Sequence, residues 1–325
     1  MNKSLSILAV LILSVLSYLT YISAESVINS DWKEPLPLMS ENQQYRLVLI
    51  TQDVDTPFWN SVAKGASELA EQEGVMLENL GNYGKNEEAF LSNLELAIHS
   101  KVDGIIVQGL DKEKFKELTK IKAAFYGIPV ITIAEDVPIE ESLRRTYVGS
   151  NHFKAGKLIA EQLILDMGDS GEVAIMYDQE PQHYQSLRLN GIQAVFRKHP
   201  NISVIDVRTD TSKEKVMATT QNLLNNHPEI EGFVAINSEV TSGMIQEISR
   251  RKQIDPLFIY SFDDHADIEG LFQQGKLDAI VAQDPEMMGR LGVELLIEWL
   301  EGKSAPLDFD GYFTPITIVK VKDEL

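Results

Sequence analysis

Gln108, Glu135, Asn237, Asp263 and Gln283 each close a short apolar run, and all five side chains are planar and polar. A sugar ring presents neighbouring hydroxyls, each a donor and an acceptor at once. Carboxylates accept, amides do both, and a guanidinium donates in a fixed fork, so a mixed set of this kind can satisfy every hydroxyl. The C–H faces of such a ring are apolar and match flat aromatic side chains, which Phe58 and Trp59 supply after the first apolar run. The residue types alone also admit a plainer role. Polar residues at strand ends commonly cap the next helix, and Phe58 and Trp59 fit a core.

The elements that must position these residues are legible as a pattern. Arg46 to Thr51, Val75 to Leu80, Gly104 to Gln108 and Val130 to Ala134 read as buried strands. Between them lie amphipathic segments at Trp59 to Glu73, Glu87 to Ser100 and Glu113 to Phe125, read as helices. The scheme repeats with strands expected at Val173 to Tyr177, Ile202 to Val207, Gly232 to Asn237, Leu257 to Phe262 and Ala279 to Ala282. Continuous Ile/Val runs alternating with helices argue for βαβ units and parallel sheets covered on both faces. Segments 102–108 and 230–237 resemble one another, as do 129–135 and 256–263. The expected fold class is therefore α/β, as two similar Rossmann-like lobes. In such sheets a ligand sits beyond the carboxyl ends of the strands, where the five polar residues fall.

At 325 residues the chain is long enough for about two domains of roughly 150 residues each. Its 44% hydrophobic and 24% charged residues exclude wholesale disorder. With 29 basic against 49 acidic residues the formal charge is −20, which repels phosphate backbones and argues against nucleic acid as a partner. The absence of cysteine removes disulfides, thiolate metal sites, thiol nucleophiles and lipid attachment through an N-terminal cysteine. Six dispersed histidines without an HExxH or i, i+4 pair give no metal site. Leu5 to Ile22 is an apolar run of a length between a signal-peptide core and a membrane span. It predicts export, with residues 1–24 either cleaved after Ala24 or kept as an anchor in contact with the membrane through residues 5–22. Residues 25–44, with Pro35 and Pro37, read as a spacer. The terminal Lys322-Asp323-Glu324-Leu325 matches a retention address, taken as coincidence.

From Tyr45 onward the chain resembles the bacterial periplasmic sugar-binding proteins of the ribose-binding type. The resemblance rests on ordered, dispersed motifs: Thr56-Pro57-Phe58-Trp59 with Gly65-Ala66, Gly149-Ser150-Asn151 with Gly156, Arg188-Leu189-Asn190-Gly191, Asn237-Ser238-Glu239, Phe262-Asp263 and Ala282-Gln283. It implies the type I periplasmic binding protein fold, two lobes joined by a three-strand hinge near Gly149, Asp284 and Gly311. It also implies a ligand clamp of Arg188, Asn237, Asp263 and Gln283, with Phe58 and Trp59 facing the ring. Residues 45–149 plus 284–312 would form the N-terminal lobe, and 150–283 plus 313–325 the C-terminal lobe. Where the family has an Asp-Arg pair this chain has Ala134-Glu135, and Gln108 and Thr211 stand where it has asparagine and an aromatic. Gln108 and Glu135 complete the expected site, and the altered first lobe points away from ribose itself, toward a neutral polyol.

The expected function is thus that of an extracytoplasmic binding protein for a monosaccharide or similar polyol, presenting its closed form to a membrane histidine kinase or an ABC permease. No metal or organic cofactor is implied. Two alternatives are a cleft enzyme acting on a sugar and a receptor for a furanosyl signal. Catalysis is disfavoured because no G-x-S-x-G, P-loop or G-x-G-x-x-G falls at a strand–helix junction. A sugar-responsive repressor would carry a basic helix-turn-helix where this chain has its apolar run.

Overall fold

The alternation inside each strand decides where the cores lie. In β1 (Arg46–Ile50), Leu47 and Leu49 face one apolar cluster while Val48 and Ile50 face another. Both faces are therefore covered, and the strand reads as a continuous apolar run because it has no wet side. The computed structural model describes residues 13–22, 44–84, 86–251, 257–262 and 266–320. Residues 13–22 form helix α1, with Leu16, Leu19 and Tyr18 exposed; the remainder of the expected apolar run lies outside the described residues. No helix among the described residues is long and apolar enough to cross a membrane.

The first lobe continues with α2 (Pro57–Glu73), β2 (Met76–Leu80), α3 (Glu87–His99), β3 (Gly104–Gln108), α4 (Glu113–Glu117) extended by a π-helical stretch at Leu118–Ala123, β4 (Val130–Ile133), α5 (Ile139–Ser142) and β5 (Thr146–Gly149). The second lobe comprises α6 (His152–Met167), β6 (Gly171–Asp178), α7 (His183–Phe196), β7 (Ile202–Thr209), α8 (Lys213–Asn226), β8 (Ile230–Ala235), α9 (Ser238–Arg250), β9 (Phe258–Phe262), α10 (Ala266–Gln273) and β10 (Ala279–Gln283). The chain then returns with α11 (Pro285–Leu300) and β11 (Tyr312–Phe313) to the first lobe, and with β12 (Ile316–Lys320) to the second.

Each lobe holds a six-stranded sheet, ordered β11-β5-β4-β3-β1-β2 and β12-β10-β9-β8-β6-β7. All pairings are parallel except β10 with β12. The strand order reverses between β1 and β3 in one lobe and between β6 and β8 in the other. Those two reversals are where open α/β sheets leave a crevice for ligands. The chain passes between lobes at β5–α6, β10–α11 and β11–β12. Phe313 pairs with Gly149 in the first sheet, so the last passage begins one residue later than the expected start of the second lobe's final segment.

The passages deliver helices across the lobes. α6, arriving from β5, packs against α7, and α11, arriving from β10, packs against α2. Both crossings are close enough to require glycine on each helix. A Cβ on Gly156 would stand 2.0 Å from the Arg188 carbonyl oxygen and one on Gly191 2.2 Å from that of Phe153. In the first lobe, Gly65 and Gly289 meet the carbonyls of Glu286 and Val62 at 2.0 and 1.9 Å in the same way. The two lobes thus repeat one packing device.

Candidate functional site

Both strand-order reversals open onto one cleft between the lobes. The space between its walls, open mouth included, is about 840 Å³. From the first lobe come Gln52, Asp53, Thr56, Phe58, Trp59, Gln108, Ala134 and Glu135; from the second and the passages come His152, Tyr184, Arg188, Ser238, Glu239 and Gln283.

In the first lobe, Thr56 caps α2 by accepting the Trp59 N–H, and Pro57 opens the helix. This turns Phe58 and Trp59 toward the cleft, edge to face with ring centroids 5.2 Å apart. Trp59 is 8% exposed and belongs to the apolar cluster that also holds Val62, Leu295 and Leu296, so it serves the core as well as the wall. At the reversal point Gln108 is tied at both ends. Its Oε1 accepts the Gln52 N–H at 2.8 Å, and its Nε2 donates to Glu135 Oε1 at 3.0 Å. The amide therefore orients the carboxylate and fixes the loop after β1.

Glu135 reaches the cleft through a strained turn. Ala134 has φ of +62°, and the Glu135 N–H donates to the Ile133 carbonyl at 2.7 Å, closing a three-residue turn. For an alanine this left-handed conformation costs about 1–3 kcal/mol, and such strain is usually held in place by surrounding bonds. Here the Ala134 carbonyl accepts from Tyr147 Oη at 2.9 Å, and His152 Nε2 lies 3.0 Å from that carbonyl and 3.1 Å from the Tyr147 hydroxyl. Asp136, next along, is consumed by a bidentate pair with buried Arg144, at 2.6 and 2.7 Å.

In the second lobe Arg188 is 2% exposed. Its guanidinium lies between two rings, 4.5 Å from the Phe262 centroid and 5.0 Å from that of Tyr184, and Nη1 donates to the Ile236 carbonyl at 2.9 Å. Cation–π contacts of this kind are made more often by arginine than by lysine. Tyr184 sits one turn before Arg188 and in turn meets the His152 ring at 5.5 Å. His152 is buried; burial first, and then the nearby Arg188 charge, lower its pKa to about 3. Burial likewise pushes the Tyr147 phenol well above its ordinary value, so both groups are neutral.

At the passages, Ser150 Oγ donates to Gln283 Oε1 at 2.7 Å, joining the first crossing to the second. Of the eight residues expected from the sequence, Phe58, Trp59, Gln108, Glu135, Arg188 and Gln283 line the cleft. Asn237 is buried as the cap of α9, its Oδ1 accepting the Val240 N–H at 2.9 Å, and the wall is formed by the next two residues, Ser238 and Glu239. Asp263 lies outside the described residues. Sequence reasoning did not single out Gln52, Asp53, His152 and Tyr184. For Tyr184 a signal existed, since it precedes Arg188 by four positions on one helix face; His152 follows a helix cap and carries no pattern of its own.

The family described as periplasmic binding protein domain matches residues 47–304. The ribose import binding protein RbsB of Bacillus subtilis (strain 168) is 25% identical over 318 residues, covering 95% of this chain and 99% of that protein. Among solved structures, GanP, a glucose-galactose binding protein from Geobacillus stearothermophilus, has a TM-score of 0.79 at 27% identity, covering 86% of this chain and 99% of that one. The XylFII-LytSN complex contains a chain similar at a TM-score of 0.73 and 25% identity, with coverage of 86% and 99%.

Proposed function

This chain belongs to the periplasmic binding protein family, and from that premise we propose that it is an extracytoplasmic receptor for a monosaccharide or similar polyol, bound in the interlobe cleft. One observation carries the reading. A buried guanidinium held between two rings faces, across a single cleft, a carboxylate oriented by Gln108 and the aromatic pair Phe58–Trp59. Donor, acceptor and apolar plane are what a ring of hydroxyls with C–H faces requires. Arg188 and Gln283 from the second lobe, joined by Asp263 and by Asn237 behind the wall, would form the clamp. Phe58, Trp59, Gln108 and Glu135 would meet the other side of the sugar. The relatives named above as ribose and glucose-galactose binding proteins support the same ligand class, and their names describe binding, not catalysis.

Closure of the lobes about the three passages would present a changed outer surface to a membrane partner, either an ABC permease or a sensor histidine kinase. The import role of the ribose relative favours the first, and the occurrence of this fold in the XylFII-LytSN complex favours assembly with a second protein. Deleting the gene separates them: loss of uptake with an unchanged transcriptional response supports the permease, and the reverse supports the kinase.

The binding reading is tested by intrinsic fluorescence, because Trp59 stands in the cleft wall. Titration of the full chain with monosaccharides is expected to give a saturable change with at least one of them. The change should vanish in Trp59→Phe, and the affinity measured by calorimetry should fall in Arg188→Ala. A chain that binds sugar equally well with and without Arg188 would refute the site.

A further inference from the structure

Four neighbouring strands of the first sheet, β11, β5, β4 and β3, run parallel, so the segments leading into them lie along one edge, at the end opposite the cleft. Each of these segments leaves a large apolar side chain in solvent. They are Phe309 before β11, Leu143 before β5, Ile121, Phe125 and Tyr126 before β4, and Leu96 on the last turn of α3 before β3. The segments are neighbours in space as well. Phe309 and Leu143 share a groove with Ala124, and the His99 ring meets that of Tyr126 at 6.4 Å. The core does not need these side chains. The helix ahead of β4 turns Leu118, Thr119 and Ala123 inward and leaves Ile121 and Phe125 outside, Phe125 at 81% exposure. Nor does the fold need them. The corresponding edge of the second sheet presents Asp169, Lys198, Asn226, Glu229 and Gln274, with Leu165 as the one large exposed apolar side chain near it among the described residues.

We infer that this edge is an interaction surface whose occupant is a second copy of the chain, joined face to face in an isologous dimer. The area points there. The six side chains, 41% to 81% exposed, leave on the order of 600 Å² uncovered. That is the upper end of the ~300–600 Å² of the largest patch on a typical monomer, and most of the ~800 Å² that each partner gives to a standard interface. The rim points there too. Lys101 lies over the Tyr126 ring, Lys122 pairs with Glu95, and Lys120 donates to the Glu140 carbonyl, so both signs of charge border the apolar centre. A two-fold axis can then set lysines of one copy against carboxylates of the other. Two chains of charge −20 repel at long range, and a rim of both signs lets them meet here without a like-charged contact. Because the edge belongs to one lobe and lies away from the cleft, the dimer leaves the cleft free.

Sedimentation velocity of the full chain over roughly 1–100 µM tests this. The wild type is expected to pass reversibly from monomer to dimer as concentration rises. The double variant Ile121→Glu with Phe125→Glu should weaken association at least tenfold, while Leu165→Glu on the other lobe leaves it unchanged. Should the double variant fail to fold, a single thiol decides, since the chain has no cysteine of its own. Ile121→Cys is expected to give covalent dimers with a short bis-maleimide, and Leu165→Cys is not. A wild type that stays monomeric throughout overturns the inference, as does a dimer that survives the double variant and so forms through another surface. A monomer that instead binds phosphatidylcholine–phosphatidylglycerol vesicles, and loses that binding in the double variant, assigns the edge to a lipid surface and overturns it too. Sugar binding in the cleft stands under all of these outcomes.

Discussion

Ala134 shows how a single residue sets the chemistry of this cleft. Its left-handed backbone turns Glu135 inward, and its carbonyl is the anchor on which Tyr147 and His152 converge. Arg188 is the matching anchor across the cleft, and it acts through shape as much as charge. Arg188→Lys keeps a cation but loses the plane that fits between Phe262 and Tyr184, so we expect affinity to fall at least tenfold, close to the loss in Arg188→Ala, by calorimetric titration. His152 gives a pH prediction with a fixed sign. Its folded pKa of about 3 lies below the ordinary value of 6.5, so below pH 6.5 the unfolded chain takes up a proton that the folded one refuses. Stability contributed by this group is therefore complete above pH 6.5 and is lost toward pH 3, at up to about 1.4 kcal/mol per pH unit. Denaturant midpoints at pH 7.5, 5.5 and 4.5 should decline less steeply in His152→Gln than in the wild type; parallel declines would contradict the assignment. At this scale the sequence revealed residues that end apolar runs, such as Gln108, Glu135 and Gln283. It did not reveal His152 or Asp53, because what brings them to the cleft is a turn and a passage between lobes and not a periodicity.

At the scale of elements, the paired glycine crossings hold the site. Gly156 lies against the carbonyl of Arg188 itself, so the α6–α7 contact places the guanidinium. Gly156→Ala should lower stability by about 1–3 kcal/mol through overpacking and also weaken sugar binding. Gly65→Ala, which meets Glu286 in the equivalent first-lobe crossing, should cost similar stability with a smaller effect on affinity. Thermal unfolding and titration of the two variants side by side check this, and an affinity loss confined to Gly65→Ala would contradict it. The long apolar runs and amphipathic helices were legible because each is covered on a predictable face: β1, β3 and β6 fall within two residues of their expected bounds at each end. β5, β11 and β12 carry no such signal. β5 and β11 are four and two residues long, and β12 is a partly exposed edge strand paired antiparallel with β10. Their place is set by the sheets they join.

At the scale of the molecule, two copies of one α/β plan are joined by three passages, two of which lead into a helix, and the cleft lies where both strand orders reverse. Two passages are bonded to each other through Ser150 and Gln283. Ser150→Ala should therefore shift the balance between open and closed forms, read as a change in the ligand-dependent radius of gyration by small-angle scattering. An identical response to the wild type would remove Ser150 from the hinge. Thermal unfolding of the full chain against pentoses, hexoses, inositols and furanosyl signals tests the central claim most directly. A ligand that binds only the folded state at a hundred times its Kd adds about 2.7 kcal/mol of stability, a readily measured shift in Tm. The account predicts a selective shift with one or a few of these compounds, lost in Arg188→Ala. Unchanged unfolding with every compound on the panel would contradict it.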